Sequence, residues 1–358
     1  MDLWAFDGTT LTDITPSGTK PPTGSVNTLV WDTKANRALL FGGSADFHSG
    51  RNELWQYSGG AWTQLSPTGT LPSARWDHAA AWDPLRNRML VFGGTTTANS
   101  SGHLRDTWAF DGTSWTELSP SGDLPSARVG PCPVWDSRVG RMLLFGGESA
   151  VGDHNDLWAF DGVSWQQISP QGTPPSARAG MACSFDQATG RLLVFGGGSP
   201  PGLTALNDTW AYDGARWEHL TPSGALPSAR WGSKATWDAA RERMVMFGGF
   251  NNAEHNLNDL WTLEFAMVRV PAGPFMMGCN EAVDCNCDAR EHPYHQVTLS
   301  AFDIDRTEVT QAAYRSCVIA GQCTVPGTAP ATCSWNVSGG DLLPVSCIGW
   351  DQARAYCE

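Results

Sequence analysis

Short apolar runs of about five residues recur along the chain, and turn residues separate them. In the second full repeat, Asp83-Pro84 separates the first two runs and Asp111-Gly112 the last two. Both dipeptides favour tight turns, and Asp-Gly is a strong hairpin signal. Each repeat therefore predicts four antiparallel strands, which we name a, b, c and d. In this repeat they are predicted at 78–82, 88–92, 106–110 and 114–118.

A pair of glycines follows every predicted strand b, and its spacing sets the period of the chain. Successive pairs are 51, 53, 50 and 52 residues apart. A period near 50 residues with four short strands is typical of one blade of a β-propeller. The pairs lie at Gly42-Gly43, Gly93-Gly94, Gly146-Gly147, Gly196-Gly197 and Gly248-Gly249.

The repeats predict four complete four-stranded blades and a partial blade at each end. The first piece supplies strands c and d at 3–6 and 10–14, and the last blade has a, b and c, with c at 260–263. We favour a ring of six or more blades in the complete protein. The alternative is a five-bladed ring in which 10–14 serves as the outer strand of the last blade, because propellers protect their sheet edges in this way.

Residues 1–265 resemble the kelch repeat. The resemblance rests on the double glycine after an apolar strand, the Leu-Trp or Thr-Trp pair on strand c, the single tryptophan on strand d and the Pro-Ser-Ala-Arg connection to the next blade. It implies a kelch-type β-propeller. It implies little about activity, because one fold hosts many functions.

Charge and composition narrow the range of partners. The 358 residues carry a formal net charge of −13 with a pI near 5.0, so a nucleic-acid backbone is not expected as a partner. No apolar run is long enough to predict a transmembrane helix. We read the acidity as a contribution to solubility and expect a monomer.

Cysteine is concentrated near the C-terminus. Cys132 and Cys183 lie in the propeller, and eight others lie in the last 92 residues. That density is typical of a disulfide-stapled domain in an oxidising compartment, although Cys285-x-Cys287 with His292 and His295 could instead bind zinc. The eight disulfide candidates are Cys279, Cys285, Cys287, Cys317, Cys323, Cys333, Cys347 and Cys357.

The first residues, MDLWAFDG, repeat the interior text NDLWAFDG that begins at Asn155. No charged and apolar leader precedes them, so we expect any export signal to lie upstream of this stretch. The predicted location is extracytoplasmic: secreted, periplasmic or at the cell surface.

Tryptophans recur at fixed blade positions, such as Trp158 on strand c, and such residues are expected to pack between blades. The b–c loops vary most, and parity places them on the same face as the d–a connections. This loop face is the predicted binding site for a protein or glycan ligand. Its candidate residues are His48, Trp76, His103, His154, Trp231 and His255.

Residues 266–358 resemble the opening of the formylglycine-generating enzyme (sulfatase-modifying factor) family. The residues themselves predict strand-like runs at 268–270, 296–299 and 302–304 and a helix over about 309–320, with Thr310 as its N-cap and Gly321 as its stop. The resemblance implies a cysteine-rich, incomplete α+β domain of C-type-lectin-like character. The matching residues are Pro271-Ala272-Gly273, Phe275, Met277-Gly278, Glu291-x-Pro293-x-His295-x-Val297, Phe302 to Thr310, Tyr314, Pro344-Val345 and Trp350-Asp351 with Ala355-Tyr356-Cys357.

The family's best-known members use copper and oxygen to oxidise a cysteine of a sulfatase to formylglycine, and the copper-binding cysteine pair lies downstream of the Trp350 motif. We therefore assign no catalytic residue, no metal and no cofactor to this stretch, and expect copper only in the complete domain. The first hypothesis is an exported protein whose kelch propeller is a recognition scaffold for a formylglycine-generating-type oxidase domain.

The second hypothesis is a non-catalytic extracellular binding or adhesion protein with a lectin-like second domain. The third is a catalytic propeller resembling the kelch-type copper oxidases, which needs tyrosine and histidine ligands at the axis. Only Tyr57 and Tyr212 lie in the propeller, both on strand c, so the third hypothesis has little support.

Overall fold

The computed structural model describes most of the first 264 residues and parts of the remainder. It divides the chain into two compact units, Met1–Glu264 and Phe265–Glu358. The described residues are 2–199, 204–222, 225–253, 255–264, 267–270, 273–277, 294–299, 302–305, 309, 311–319, 321–326, 345–346, 348 and 351–352.

The first unit contains 21 described strands, arranged as one hairpin and five blades. The hairpin is formed by β1 (Trp4–Phe6) and β2 (Leu11–Asp13). Blade 1 contains β3 (Thr28–Asp32), β4 (Arg37–Phe41), β5 (Leu54–Ser58) and β6 (Ala61–Leu65). Blade 2 contains β7 (Ala79–Asp83), β8 (Arg88–Phe92), β9 (Thr107–Phe110) and β10 (Trp115–Leu118), with a 3-10 turn at Ser100–Gly102.

The remaining three blades follow the same plan. Blade 3 contains β11 (Cys132–Asp136), β12 (Arg141–Ser149), β13 (Gly152–Phe160) and β14 (Trp165–Ile168). Blade 4 contains β15 (Ala182–Asp186), β16 (Arg191–Ser199), β17 (Thr204–Tyr212) and β18 (Trp217–Leu220). Blade 5 contains β19 (Lys234–Asp238), β20 (Arg243–Asn251) and β21 (His255–Glu264).

The strands of each blade pair antiparallel in the order a, b, c, d, which confirms four complete blades with partial blades at both ends. Predicted bounds in blade 2 differ from the observed ones by no more than one residue. The predicted strand c at 260–263 was too short, because β20 and β21 continue past the double glycine as one long hairpin. Five blades are present, as the five-bladed alternative predicted, but residues 10–14 do not complete blade 5 among the described residues, because β2 pairs with β1.

Aromatic side chains pack between neighbouring blades, as the recurring tryptophans predicted. Trp165 of blade 3 lies against Phe92 of blade 2, with ring centroids 5.0 Å apart, and against Phe160 of its own blade at the same separation. Such rings bury on the order of 150–250 Å² each. The interface between blades therefore supplies much of the apolar burial that stabilises the ring.

A chain of backbone hydrogen bonds links the blades near the start of each strand a. Each N–H donates to the carbonyl oxygen of the preceding blade over 2.7–2.9 Å, and every residue in the chain has a positive φ. Two members, Val26 and Asp77, are not glycine and hold this left-handed conformation at some cost. In order, the chain runs Gly232 to Gly180 to Gly130 to Asp77 to Val26.

The N-terminal hairpin lies between blade 5 and blade 1. Leu3 packs with the core of blade 1, and the Arg243 guanidinium of blade 5 donates to the Gly8 carbonyl over 2.5 Å. An open cavity of about 690 Å³ is lined by residues of the hairpin, β3 and blade 5. Phe247 and Leu29 line it and are about half exposed, whereas Phe145, which corresponds to Phe247, is fully buried.

The second unit is described in part. β22 (Met267–Val270) pairs with β25 (Phe302–Asp305), and β23 (Gly273–Met277) pairs with β24 (His295–Leu299), all antiparallel. The helix α1 (Gln311–Ile319) ends before Gly321, whose φ of +76° suits the predicted stop. The predicted cap Thr310 lies outside the described residues, as do residues 353–358.

Candidate functional site

The loop face is held together by pairing between each d–a connection and the b–c loop of the next blade. Trp76 pairs with Thr95, Val129 with Glu148, and Trp231 with Phe250. The double glycine permits this close approach. A Cβ added at Gly94, whose φ is +88°, would lie 2.7 Å from the Trp76 carbonyl oxygen, so a larger residue would force the connection away.

A buried arginine anchors each of these connections. Arg128 is 1% exposed; its two terminal nitrogens donate to Asp156 over 2.6 and 2.9 Å, and one also donates to the Gly146 carbonyl. The indole of Trp158 donates to the same carboxylate over 2.7 Å. We call this arrangement the arginine clamp. It recurs as Arg75–Asp106, Arg128–Asp156, Arg178–Asp208 and Arg230–Asp259.

The sequence interpretation treated the Pro-Ser-Ala-Arg text as a family mark and missed this role. The sequence signal for the clamp was an arginine that recurs at one position of the repeat, followed about 30 residues later by a recurring aspartate. The clamp is replaced where the hairpin meets blade 1, because Gly24 stands at the arginine position and Glu53 at the aspartate position. There Arg51 donates to the Pro22 and Thr23 carbonyls instead.

Carboxylates from blades 2 and 3 face one another on the loop face. Glu148 lies opposite Asp153 in the hairpin of β12 and β13. The backbone carbonyl of Asp77 in blade 2 accepts a hydrogen bond from the Gly130 N–H. The neighbour of Gly130, Val129, pairs with Glu148, so the backbone of Asp77 lies near that of Glu148. We call Asp77, Glu148 and Asp153 the acidic cluster.

Burial, followed by the nearby Glu148 charge, raises the pKa of Asp153 to about 6. Burial likewise raises the pKa of Asp77, against the opposing charge of Lys234. Burial lowers the pKa of His103, while Glu148 and Asp77 oppose that shift. The pKa of each of these groups therefore depends on the charges of its neighbours as well as on burial. A cation placed beside the cluster would be attracted to it.

His78 was not predicted and lies beneath this face. It is 4% exposed, and its Nε2 is 2.7 Å from the Thr28 hydroxyl oxygen of blade 1. Burial, followed by the charges of Arg75 and Lys234, lowers its pKa to about 3, so the ring is neutral. Its role is to join blades 1 and 2.

The predicted loop residues occupy different environments. His48 is exposed and contacts the Asp46 carbonyl through Nδ1, whereas His154 lies 2.8 Å from the Ser149 hydroxyl through Nε2. Trp76 is 4% exposed, so its ring is not offered to solvent. His103 joins the acidic cluster electrostatically.

Trp231 and His255 come together through a third ring. Trp231 lies 5.0 Å from Phe250, and Phe250 lies 6.1 Å from His255, measured between ring centroids. Trp231 remains partly exposed, so this aromatic group offers an apolar surface on the loop face of blade 5. Within the described residues, no three His, Cys, Asp or Glu side chains meet as a metal site.

Comparison with known proteins agrees with this architecture. Residues 28–216, just over half of the chain, match the KLHDC2/KLHL20/DRC7 Kelch-repeats domain. The chain belongs to the Kelch-repeat family. Residues 252–358 match the Sulfatase-modifying factor enzyme 1-like domain, so the Kelch propeller is followed by a domain of that family.

Two individual relatives match different shares of this chain. The dynein regulatory complex subunit 7 of Chlamydomonas reinhardtii is 36% identical over 94 residues, which are 25% of this chain and 8% of that protein. The solved structure of YjhT aligns with a TM-score of 0.56 at 14% identity, over 75% of this chain and 87% of that chain. The second likeness concerns the fold alone.

The family resemblance of the second unit of this Kelch protein implies a copper site. Cys317 and Cys323 form a disulfide, so neither offers a thiolate ligand. The other six disulfide candidates lie outside the described residues, as do Cys285, Cys287 and His292 of the zinc alternative. The described residues therefore do not fit copper, and we derive no step through it.

Two further observations bear on the whole chain. A second disulfide joins Cys132 to Cys183 in the Kelch propeller, which the sequence interpretation did not predict. In the described part, no helix is long and apolar enough to cross a membrane.

Proposed function

We propose that this is an exported, monomeric protein in which the Kelch propeller is a recognition scaffold for a formylglycine-generating-type oxidase domain. The propeller holds a partner polypeptide at its loop face, and the second domain, when complete, uses oxygen to oxidise a cysteine of that partner. We assign no catalytic residue within residues 266–358. The chain spans 8% of the curated relative it matches, so activity, substrate and partner are all part of this proposal.

The acidic cluster carries the recognition part of the proposal. Burial has already raised the pKa of Asp77 and Asp153, which makes an added positive charge favourable at this position. A lysine or arginine of the partner, placed beside these carboxylates, would restore their ordinary ionisation. We therefore expect the bound segment to be basic, in keeping with the net charge of −13.

Two disulfides support the proposed extracytoplasmic location. Cys132–Cys183 and Cys317–Cys323 are compatible with an oxidising compartment, where such bonds persist. Copper is proposed only for the catalytic centre of the complete protein.

Selection of random 12-residue peptides displayed on phage tests the recognition. Against the full chain, the enriched peptides should carry net positive charge. Their affinity should fall at least tenfold in the triple variant Asp77→Asn, Glu148→Gln, Asp153→Asn. The control Glu117→Gln removes one exposed carboxylate from β10 and should bind as the parent does. Enrichment without basic residues, or equal binding by the triple variant, would contradict the proposal.

A binding protein without chemistry is the second candidate, and the aromatic group of Trp231, Phe250 and His255 favours it. Flat apolar rings on an exposed face suit sugars as well as peptides. Binding of neutral oligosaccharides that is lost in Trp231→Ala, together with an unaltered mass for cysteine peptides incubated with the complete protein, copper and oxygen, would support this candidate over the first.

A further inference from the structure

Blade 1 departs from the repeat at the two positions that form the arginine clamp in blades 2 to 5. Gly24 stands at the place of the arginine, and Glu53 stands at the place of the aspartate. Blade 1 has all four of its strands, so the difference lies in its sequence and not in a strand that is absent. The four clamps therefore show what the corresponding position of blade 1 is shaped to hold.

Strand register confirms that the positions correspond. Ser25, the residue after Gly24, pairs with Ser44 of the b–c loop, just as the residue after each clamp arginine pairs in the other blades. Trp55 on strand c lies opposite Leu40 of strand b, at the place of the four clamp tryptophans. Glu53 precedes Trp55 by two residues, as each clamp aspartate precedes its tryptophan.

Each clamp recognises a guanidinium group with the same three partners. The arginine is 0–1% exposed and donates to both oxygens of the aspartate carboxylate, a planar fork that suits a guanidinium. It also donates to the carbonyl of the first glycine of the pair over 2.9–3.1 Å. The tryptophan indole donates to the same carboxylate over 2.6–2.7 Å in all four clamps.

Blade 1 keeps the receptor side of this arrangement and lacks the guanidinium. Trp55 is 5% exposed, and its indole nitrogen is buried without a hydrogen-bond partner among the described residues. A buried N–H without an acceptor is unfavourable, so the position is incomplete. Glu53 carries the missing acceptor, and a carboxylate placed on the indole without a guanidinium would itself be an unpaired buried charge.

The position can be reached from solvent, unlike the four filled clamps. Gly24 is exposed, and Glu53 and Arg51 are partly exposed. Arg51 borders the site: its Nη1 donates to the carbonyls of Pro22 and Thr23 over 3.3 and 2.9 Å and would lie 3.0 Å from a Cβ added at Gly24. These contacts hold the Arg51 guanidinium at the connection.

We propose that this position of blade 1 is a binding site for a guanidinium group, supplied by free arginine or by an arginine side chain of a polypeptide. Glu53 turns onto the bound guanidinium and accepts from it and from the Trp55 indole. The Gly42 carbonyl accepts a further N–H, as the Gly93 carbonyl does in blade 2. The site does not rest on the function proposed for the loop face.

The indole resonance of Trp55 tests the proposal in the deuterated full chain. It is observed in a ¹H–¹⁵N correlation spectrum and assigned with the variant Trp55→Phe. Added arginine should shift it downfield in a saturable way, because the indole gains an acceptor. Lysine, which has no planar fork, and citrulline, which has no charge, should bind at least tenfold more weakly. Absence of a saturable shift with arginine, or equal binding of lysine, would overturn the proposal.

Two forms of the ligand distinguish its source. Tighter binding of the capped tripeptide acetyl-Gly-Arg-Gly-amide would assign the site to an arginine of a polypeptide. Equal or tighter binding of free arginine would assign it to the amino acid. Failure of both to shift the Trp55 resonance would overturn the proposal.

Variants of the chain locate the site. Glu53→Gln keeps the size of the side chain, removes its charge and should weaken binding at least tenfold. Glu117→Gln, on exposed β10, should leave the affinity unchanged, as should the triple variant of the acidic cluster, which separates this site from the loop-face proposal. An equal loss in Glu117→Gln would overturn the assignment. A shift that appears only after Arg51→Ala would also overturn it, because Arg51 itself would then fill the site.

Discussion

At the scale of single residues, the arginine clamp fixes each d–a connection to the blade that follows it. Arg128 is buried, and Asp156 supplies both of its carboxylate contacts. Burial tends to raise the pKa of Asp156, but the hydrogen bonds and charge of Arg128 outweigh it and leave the pKa below its ordinary value. This contribution to stability is present above about pH 4 and is lost as pH falls through the folded-state pKa.

Replacing Asp156 by alanine leaves a guanidinium buried without its carboxylate. The free energy of unfolding should fall by about 2–3 kcal/mol, measured by urea denaturation at pH 7. Glu53→Ala is the matched control, because Glu53 occupies the same position in blade 1 where the clamp is absent. Its effect should stay within about 0.5 kcal/mol. Equal losses in both variants would show that the clamp is not the cause.

Asp153 should show the opposite dependence on pH. Its folded-state pKa of about 6 exceeds its ordinary value of 3.8, so its favourable contribution is full below about pH 4 and is lost as pH rises through 6. Asp153→Asn should therefore be more stable than the parent at pH 8, by on the order of 1 kcal/mol after allowance for solvent screening. The two should converge at pH 4.

Asp161 is the control for that experiment. Backbone hydrogen bonding from Ser164 is the largest cause of its lowered pKa, so ionisation stabilises its turn. Asp161→Asn should be less stable than the parent at pH 8. If both substitutions changed stability in the same direction at pH 8, local charge would not explain either result.

At the scale of elements, the disulfide Cys132–Cys183 ties the inner strands β11 and β15 of neighbouring blades. It closes a loop of about 50 residues and constrains the unfolded chain. The double variant Cys132→Ser, Cys183→Ser should lower the free energy of unfolding of the propeller by about 2–4 kcal/mol. Unfolding is measured through the near-ultraviolet circular dichroism of the tryptophans.

The second disulfide provides the matched control for this measurement. Cys317 and Cys323 close a loop of only six residues in the other compact unit. The variant Cys317→Ser, Cys323→Ser should leave the propeller transition unchanged. A shift of that transition by the second variant would indicate that the two units do not unfold separately.

At the scale of the whole molecule, stability should vary around the ring. Blades 2 and 3 are complete, each carries an arginine clamp, and their strand b phenylalanines are fully buried. Blade 5 has three described strands, the junction of the hairpin with blade 1 has no clamp, and Trp31 and Phe247 are about half exposed.

Amide hydrogen exchange, measured by mass spectrometry, tests whether local stability varies around the ring in this way. Amides of β1, β2 and β19 to β21 should exchange first, and those of blades 2 and 3 last, because opening begins where fewest neighbours hold a strand. Uniform exchange across all five blades would contradict this expectation and would mean that the ring unfolds as one unit.

Much of the fold followed from the sequence alone, because strands and turns are local. Alternation of apolar residues, the Asp-Gly turns and the glycine pairs determined four complete blades and two partial ones, and they placed strand b of blade 2 without error. The extension of β20 and β21 beyond the glycines was missed, since it depends on pairing between segments whose lengths vary.

The composition of the candidate site on the loop face depends on tertiary structure. The sequence predicted the loop face and its candidate residues, but the arginine clamp and the acidic cluster depend on how the connections and neighbouring blades pack together. Trp76 and Trp231 look alike in sequence, yet one is buried and the other remains partly exposed. Local pattern determines which strands form, and only the closing of neighbouring blades on one another decides which polar groups are buried and paired.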